Sequence, residues 1–314
     1  MSLAPLLAAV ERSKGRDADA LVALLKFLRV SQIRRSDITV KWGAVALAKH
    51  GSRLGDERWS IHEQTLIAAL DLDDAATAKS SEDALAARFR SGARIGRLQG
   101  MCEEARGEYE KAGATYAKLL VDNAANAAAL RREVCIVKAE SNLDVSKNVV
   151  NALNGYLEKF QSDAGAWQAL AETYTRAANW RSAAYCYEEL TLFEPLAHHY
   201  HCRLGEIHYT QAAALQGRKQ LETYRTARKY FAQAVQLQKE VQGRFVRAAA
   251  GLLVCCAAVA ECEGPDADAA DAELNAALGA VAAGCVKAAY KKDAPALAPC
   301  VAPLLAVFAP PYAQ

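Results

Sequence analysis

Trp167 to Pro195 reads WQALAETYTRAANWRSAAYCYEELTLFEP, and the spacing of its residues decides the fold. Counting Ala164 as position 1 of a 34-residue unit, Trp167 falls at 4, Leu170 at 7, Ala171 at 8, Tyr174 at 11, Trp180 at 17, Ala183 at 20, Tyr187 at 24, Leu190 at 27 and Pro195 at 32. That is the tetratricopeptide (TPR) pattern over its full length. Small residues at 8 and 20 let two antiparallel helices cross closely, and aromatic residues at 4, 11, 17 and 24 are expected to fill the space around the crossing. Pro195 cannot continue a helix and turns the chain into the next unit.

The unit recurs with falling fidelity. Counting from Ala93, Gly100 sits at 8, Tyr109 at 17, Ala112 at 20, Tyr116 at 24 and Leu119 at 27. Gly92, Gly96 and Gly100 form a GxxxGxxxG ladder suited to close helix contact. After Pro195, Leu204 and Gly205 take positions 7 and 8. A ten-residue excess then precedes a second helix carrying Tyr224, Ala227, Phe231 and Ala234. A degenerate unit spans Asn126 to Phe160, and an earlier hairpin is suggested by Trp59 and Ala75. A later one starts near Arg247 and resumes after the acidic loop EGPDADAAD. The expected fold is an all-α TPR-type helical-hairpin solenoid, a right-handed superhelix of about five or six hairpins on the repeat count. Its parts are an N-terminal helical region at residues 1–50, the solenoid at 51–290 and a Pro/Ala-rich tail at 291–314.

Composition agrees with a helical, foldable chain: 52% of residues are hydrophobic, 24% charged, and Gly and Pro number 18 and 8 in 314. A net charge of +2 carries no nucleic-acid signature. Arg88, Arg90, Arg94 and Arg97 lie at helical spacing, as a solvated face or as contacts to a phosphate or lipid headgroup. Nine cysteines, an odd count without a spacing framework, read as reduced thiols. MSLAPLLAAV lacks the basic start of a secretory leader. The uncharged runs Ala248 to Ala260 and Leu274 to Val286 are each 13 residues, short of the roughly 20 of a membrane span. The apolar C-terminal stretch is broken by prolines, which favours a tail packed on the fold or on a partner.

His198, His199, His201, Cys202 and His208 form the one histidine cluster. Zinc requires four converging nitrogen or sulfur ligands, and no Cys-x-x-Cys pair is present, so packing is the expected role and no metal or cofactor is assigned. Cys255, Cys256 and Cys262 sit in an apolar helix, where cysteine behaves as a small hydrophobe. No GxSxG, Walker A or HExxH motif occurs, so no enzyme is expected.

LGDERWSIHEQTLIAALDL (Leu54 to Leu72), the Trp167 hairpin and HYTQ…ARKYFAQAVQL together resemble subunit 2 of the endoplasmic reticulum (ER) membrane protein complex. The resemblance runs in order from about Gly55 to Leu237, and more weakly to Tyr290. The GDExW…EQ…IAALD segment is no TPR requirement and is therefore the discriminating motif. The first 50 residues and the Pro-rich end depart from the family pattern. The resemblance implies a non-catalytic scaffold, cytosolic and peripheral on the ER membrane, in a complex that inserts tail-anchored and some multipass membrane proteins. It implies partners in the Oxa1-like third subunit, the fifth subunit and the eighth or ninth soluble subunit.

Two other readings compete. A chaperone-docking TPR needs a carboxylate clamp of Lys and Asn at positions 5 and 9, but Gln168 and Glu172 stand there in the best unit, and Arg97 and Met101 in the unit from Ala93. A generic adaptor binding peptides in the groove stays open. A metal or thiol enzyme would rest on the His/Cys clusters alone. If the groove is used, first-helix positions should line it, which nominates Gln168, Glu172, Arg176, Glu206 and Tyr209 as partner contacts.

Overall fold

The computed structural model describes residues 2–89, 92–141, 147–240, 246–263 and 268–299, with 301, 303 and 305. Among them are fifteen α-helices and no strand. The chain divides into two compact units, Met1–Leu143 and Asp144–Gln314.

The first unit opens with α1 (Leu3–Ser13), α2 (Ala18–Val30) and α3 (Ser36–His50). Leu21, Leu24, Leu25 and Leu28 give α2 a buried stripe at helical spacing, closed over by Val10, Trp42 and Ala46. Asp17 starts α2 by accepting the backbone N–H groups of Asp19 and Ala20, a cap worth about 1 kcal/mol. Two hairpins follow: α4 (Glu57–Asp71) with α5 (Ala75–Arg88), then α6 (Ala93–Ala105) with α7 (Tyr109–Asp122); α8 (Ala127–Glu140) packs on α7. Asp74 and Asn126 cap α5 and α8 in the same way. The α6/α7 crossing is set by glycine. Leu119 Cδ2 lies 2.8 Å from where a Cβ on Gly96 would stand, and the Tyr116 ring overlaps the place a Gly100 Cβ would take. Gly92, the first rung of the ladder, faces open space.

The second unit begins with α9 (Lys147–Lys159), packed on α10 (Ala164–Arg176), which pairs with α11 (Trp180–Phe193). Asp163 caps α10 through Gly165 and Ala166, and also accepts the Tyr156 hydroxyl at 2.7 Å, tying α9 to the turn. Asn179 caps α11 after Ala178 turns the chain at φ +53°. Ala171 and Ala183 are fully buried at the crossing, Leu170 and Leu190 beside them. The aromatics divide: only Tyr187 is buried, 6.4 Å from Tyr200. Trp167, Tyr174 and Trp180 are half-buried, and Trp167 leans out to Tyr185 while its Nε1 donates to the Gln161 carbonyl at 2.7 Å. Two alanines at the crossing leave too little width for four rings inside it. Pro195 is exposed in the turn after α11.

α12 (His198–Ala213) and α13 (Gly217–Glu240) are followed by α14 (Val246–Glu263) and α15 (Ala269–Asp293). The ten-residue excess seen in the sequence is absorbed mainly as extra turns of helix, α13 reaching 24 residues from Gly217 at φ +62°. Phe231, with Ala227 one turn before it, enters between α12 and α14: its ring lies 2.8 Å from a Cβ built on Gly205 and meets Gly251 on its other side. Val301 and Leu305 join the same core; residues 306–314 of the predicted tail lie outside the described residues. Among the described residues one helix, α15, is long and apolar enough to cross a membrane. It is also tied into this unit by polar contacts. Arg228, 3% exposed on α13, donates to Asp271 and to Asn275 Oδ1 (3.0 Å) of α15, and Asn275 donates to the Cys256 carbonyl of α14 at 2.8 Å.

Ala171→Trp should unfold the α10/α11 crossing locally and destabilise the chain by about 1–3 kcal/mol or more. A thermal melt that matched wild type would show that these helices are held elsewhere.

Candidate partner-binding site

The first helices of two hairpins, α10 and α12, carry the side chains nominated above, and the structure sorts them into three kinds. On α10, Gln168, Glu172 and Arg176 succeed one another at i, i+4 and i+8 and are all exposed. Gln168 Nε2 donates to Glu172 Oε1 at 3.1 Å, which leaves the second carboxylate oxygen and the Arg176 guanidinium facing solvent. Glu206 on α12 is occupied: Arg203 donates to it at 2.9 Å and Arg247 of α14 closes on it through Nε and Nη2. Tyr209 is half-buried with its ring 5.2 Å from Tyr224 of α13, and burial pushes its phenol above the ordinary value. The exposed stripe of α10 and the α12–α14 ion pair therefore serve different ends.

Glu206–Arg247 has counterparts in the first unit. Glu63 of α4 takes Arg94 and Arg97 of α6, and Glu104 of α6 takes Arg132 of α8. Each joins the first helix of one hairpin to that of the next. Glu104 also takes a hydroxyl: Arg132 Nε donates to it at 2.8 Å and the hydroxyl of fully buried Tyr116 at 2.6 Å. Burial and the neighbouring carboxylate raise the Tyr116 phenol well above its ordinary range. None of these pairs was read from the sequence. The trace they leave is a glutamate followed 28 to 41 residues later by an arginine, legible only once helices are in register.

The chemistry-bearing clusters point to packing. Burial pushes the thiols of Cys186, Cys202, Cys255 and Cys256 up to about 12 and that of Cys102 to about 11, the reverse of an activated thiolate. His208 stacks flat on Tyr230, centroids 5.4 Å apart, and burial lowers its pKa. His199 leans on Tyr200 at 4.0 Å, and His201 Nε2 lies 3.0 Å from the Pro195 carbonyl. Among the described residues no three His, Cys, Asp or Glu side chains are grouped to hold a metal ion.

Comparison with known proteins places these repeats in a lineage. The family model of the EMC2 TPR-like repeat domain matches residues 90–217. ER membrane protein complex subunit 2-A of Xenopus laevis is 34% identical over 267 residues, 85% of this chain and 84% of that one. The chain belongs to the ER membrane protein complex subunit 2 family. Within that family, subunit 2 of Dictyostelium discoideum is 28% identical over 59% of this chain and 58% of its own. Among solved structures, the C-terminal part of a TPR repeat-containing protein from Cytophaga hutchinsonii superposes with a TM-score of 0.58 at 8% identity, covering 88% of this chain and 98% of that one. At that identity the likeness speaks for the TPR fold alone. The family match covers both the α6/α7 glycine crossing and the Trp167 hairpin, so the repeat pattern and the family point to the same segment.

Proposed function

We infer that this chain is a non-catalytic scaffold subunit of an ER membrane protein complex, organising an insertase for tail-anchored and multipass membrane proteins. It works from the cytosolic face, peripheral to the membrane, by holding the cytosolic parts of an Oxa1-like third subunit and a fifth subunit together with a soluble eighth or ninth subunit. The observation that carries this reading is family membership along most of the chain, by a relative whose name states membership of that complex. Two structural features support it. The α10 stripe of Gln168, Glu172 and Arg176 offers hydrogen-bonding groups that packing does not consume. The buried cysteines are held as thiols, which suits a body that binds and does not react.

Glu172→Lys is expected to leave the melting temperature unchanged while weakening capture of a partner subunit; equal capture by both forms would remove α10 from the binding surface. The function itself is tested by complementation. In cells lacking the native subunit, expression of this chain should restore the level of a tail-anchored reporter at the ER membrane. A stably expressed chain that restored nothing would contradict the scaffold role.

A further inference from the structure

Between α4, α5 and α6 of the first unit lies a cleft of about 200 Å³ whose lining joins an aromatic wall to the ion-paired Arg94 and Glu63. Trp59 and Phe89 form the wall, edge to face with centroids 5.4 Å apart, and Leu85, Ile95 and Leu98 complete the apolar lining. Arg58 lies over the Trp59 ring at 5.1 Å and Arg88 over the Phe89 ring at 5.5 Å. Arg94 lines the cleft, and Glu63 beside it is held by Arg94 and Arg97. The lining and the groups stacked or paired on it thus hold four guanidinium groups and one carboxylate. The amino end of α6 lies here as well, and Gly92 at its cap places no side chain in the cleft.

We propose that this cleft docks a segment of a partner protein that is acidic and carries one large apolar side chain. Its volume suits one such side chain and falls below the roughly 300–1,000 Å³ usual for small-molecule sites. The aromatic wall takes the anchor, while the arginines and the amino end of α6 take carboxylates on either side of it. Half-exposed Phe89 is then covered on docking, and Arg88 and Arg94 become contacts instead of a solvated face. The proposal rests on the scaffold reading only in taking the partner to be a protein.

The test is fluorescence anisotropy on the full chain. The probe is a labelled peptide with a central Phe-Leu pair between runs of Asp and Glu; controls replace the acids by Asn and Gln, or the pair by alanines. The acidic, anchored peptide should bind best, and weaken as salt rises. Gly92→Leu fills the cleft from a position where an added Cβ meets nothing, on extended backbone at φ 166°. Arg88→Glu reverses an exposed charge. Both should keep the wild-type melting temperature and bind about tenfold or more weakly. The proposal is overturned if the control peptides bind as well, or if Gly92→Leu binds like wild type. It is equally overturned if phosphatidylserine vesicles, and not the peptide, are what the arginine variant loses. Peptide binding without recovery of complex subunits from cells would count against the scaffold reading alone; recovery without peptide binding would count against the cleft alone.

Discussion

Replacing Phe231 with alanine is expected to destabilise the second unit by about 3–5 kcal/mol, the range for removing a fully enclosed aromatic ring. The ring is 2% exposed and wedged between glycines on two different helices, Gly205 of α12 and Gly251 of α14. Neither glycine has a side chain that could swing into the vacated space, so the cavity would close only if whole helices shifted. The effect is read most cleanly by hydrogen exchange: amides of α12 to α14 should lose protection while those of α2 and α3 keep theirs. Gly205→Ala should act in the same direction by overpacking, since its Cβ would stand 2.8 Å from ring atoms held on both sides. Loss of protection spread evenly over the chain would mean that Phe231 is not a local wedge.

Arg228→Ala is the second large expectation, a loss of about 3 kcal/mol. The guanidinium is buried, and its removal strands Asn275 Oδ1 and takes one of two arginines from Asp271, which keeps Arg225 at 3.0 Å. Arg228→Met, which fills the volume without the charge, should destabilise as well, because Asn275 Oδ1 still loses its donor and Asp271 one of its two arginines. The same network sets an acid response. The hydrogen bond from Arg228 holds the Asp271 carboxyl below the usual 3.8, against a smaller opposing effect of burial. A depressed folded-state value contributes stability that is complete above pH 3.8 and is lost as the pH falls from there through the folded-state value. Denaturant midpoints should therefore drop more steeply below about pH 4 in wild type than in Asp271→Asn, which has no proton to take up. Parallel curves would remove this ion pair from the acid response.

How much of this was legible beforehand depends on whether the determinant is local. The α10/α11 hairpin could be read because Ala171, Ala183, Leu170 and Leu190 sit where a close crossing demands small and branched residues; the caps Asp163 and Asn179 came only with the structure. The Gly100–Tyr116 and Gly205–Phe231 contacts were legible through the same register, as a small residue facing a ring one helix away. Trp167 and Trp180 show the limit of the pattern, which names the residue type and not how far the ring reaches inside. The ion pairs were not legible. Glu104 and Arg132, or Arg228 and Asp271, are separated by 28 and 43 residues, and many surface charges share such separations. Likewise Arg88, Arg94 and Arg97 share helical spacing in the sequence, whereas the structure divides them between the Phe89 ring and Glu63; Arg90 lies outside the described residues. Of the five nominated contacts, Glu206 and Tyr209 turned out to have partners within the fold because the long α13 and α14 bring Tyr224 and Arg247 against α12.

The measurement that most directly tests the scaffold assignment is purification of the tagged chain from its own cells in mild detergent, with mass spectrometry of the partners that accompany it in stoichiometric amount. A scaffold of the ER membrane protein complex should bring down an Oxa1-like membrane subunit together with several other ER proteins, and Glu172→Lys or Gly92→Leu should thin that set without lowering the amount of folded chain. Recovery of cytosolic chaperones alone, or of no stable partner, would contradict the assignment and leave a TPR protein whose family has parted from its complex.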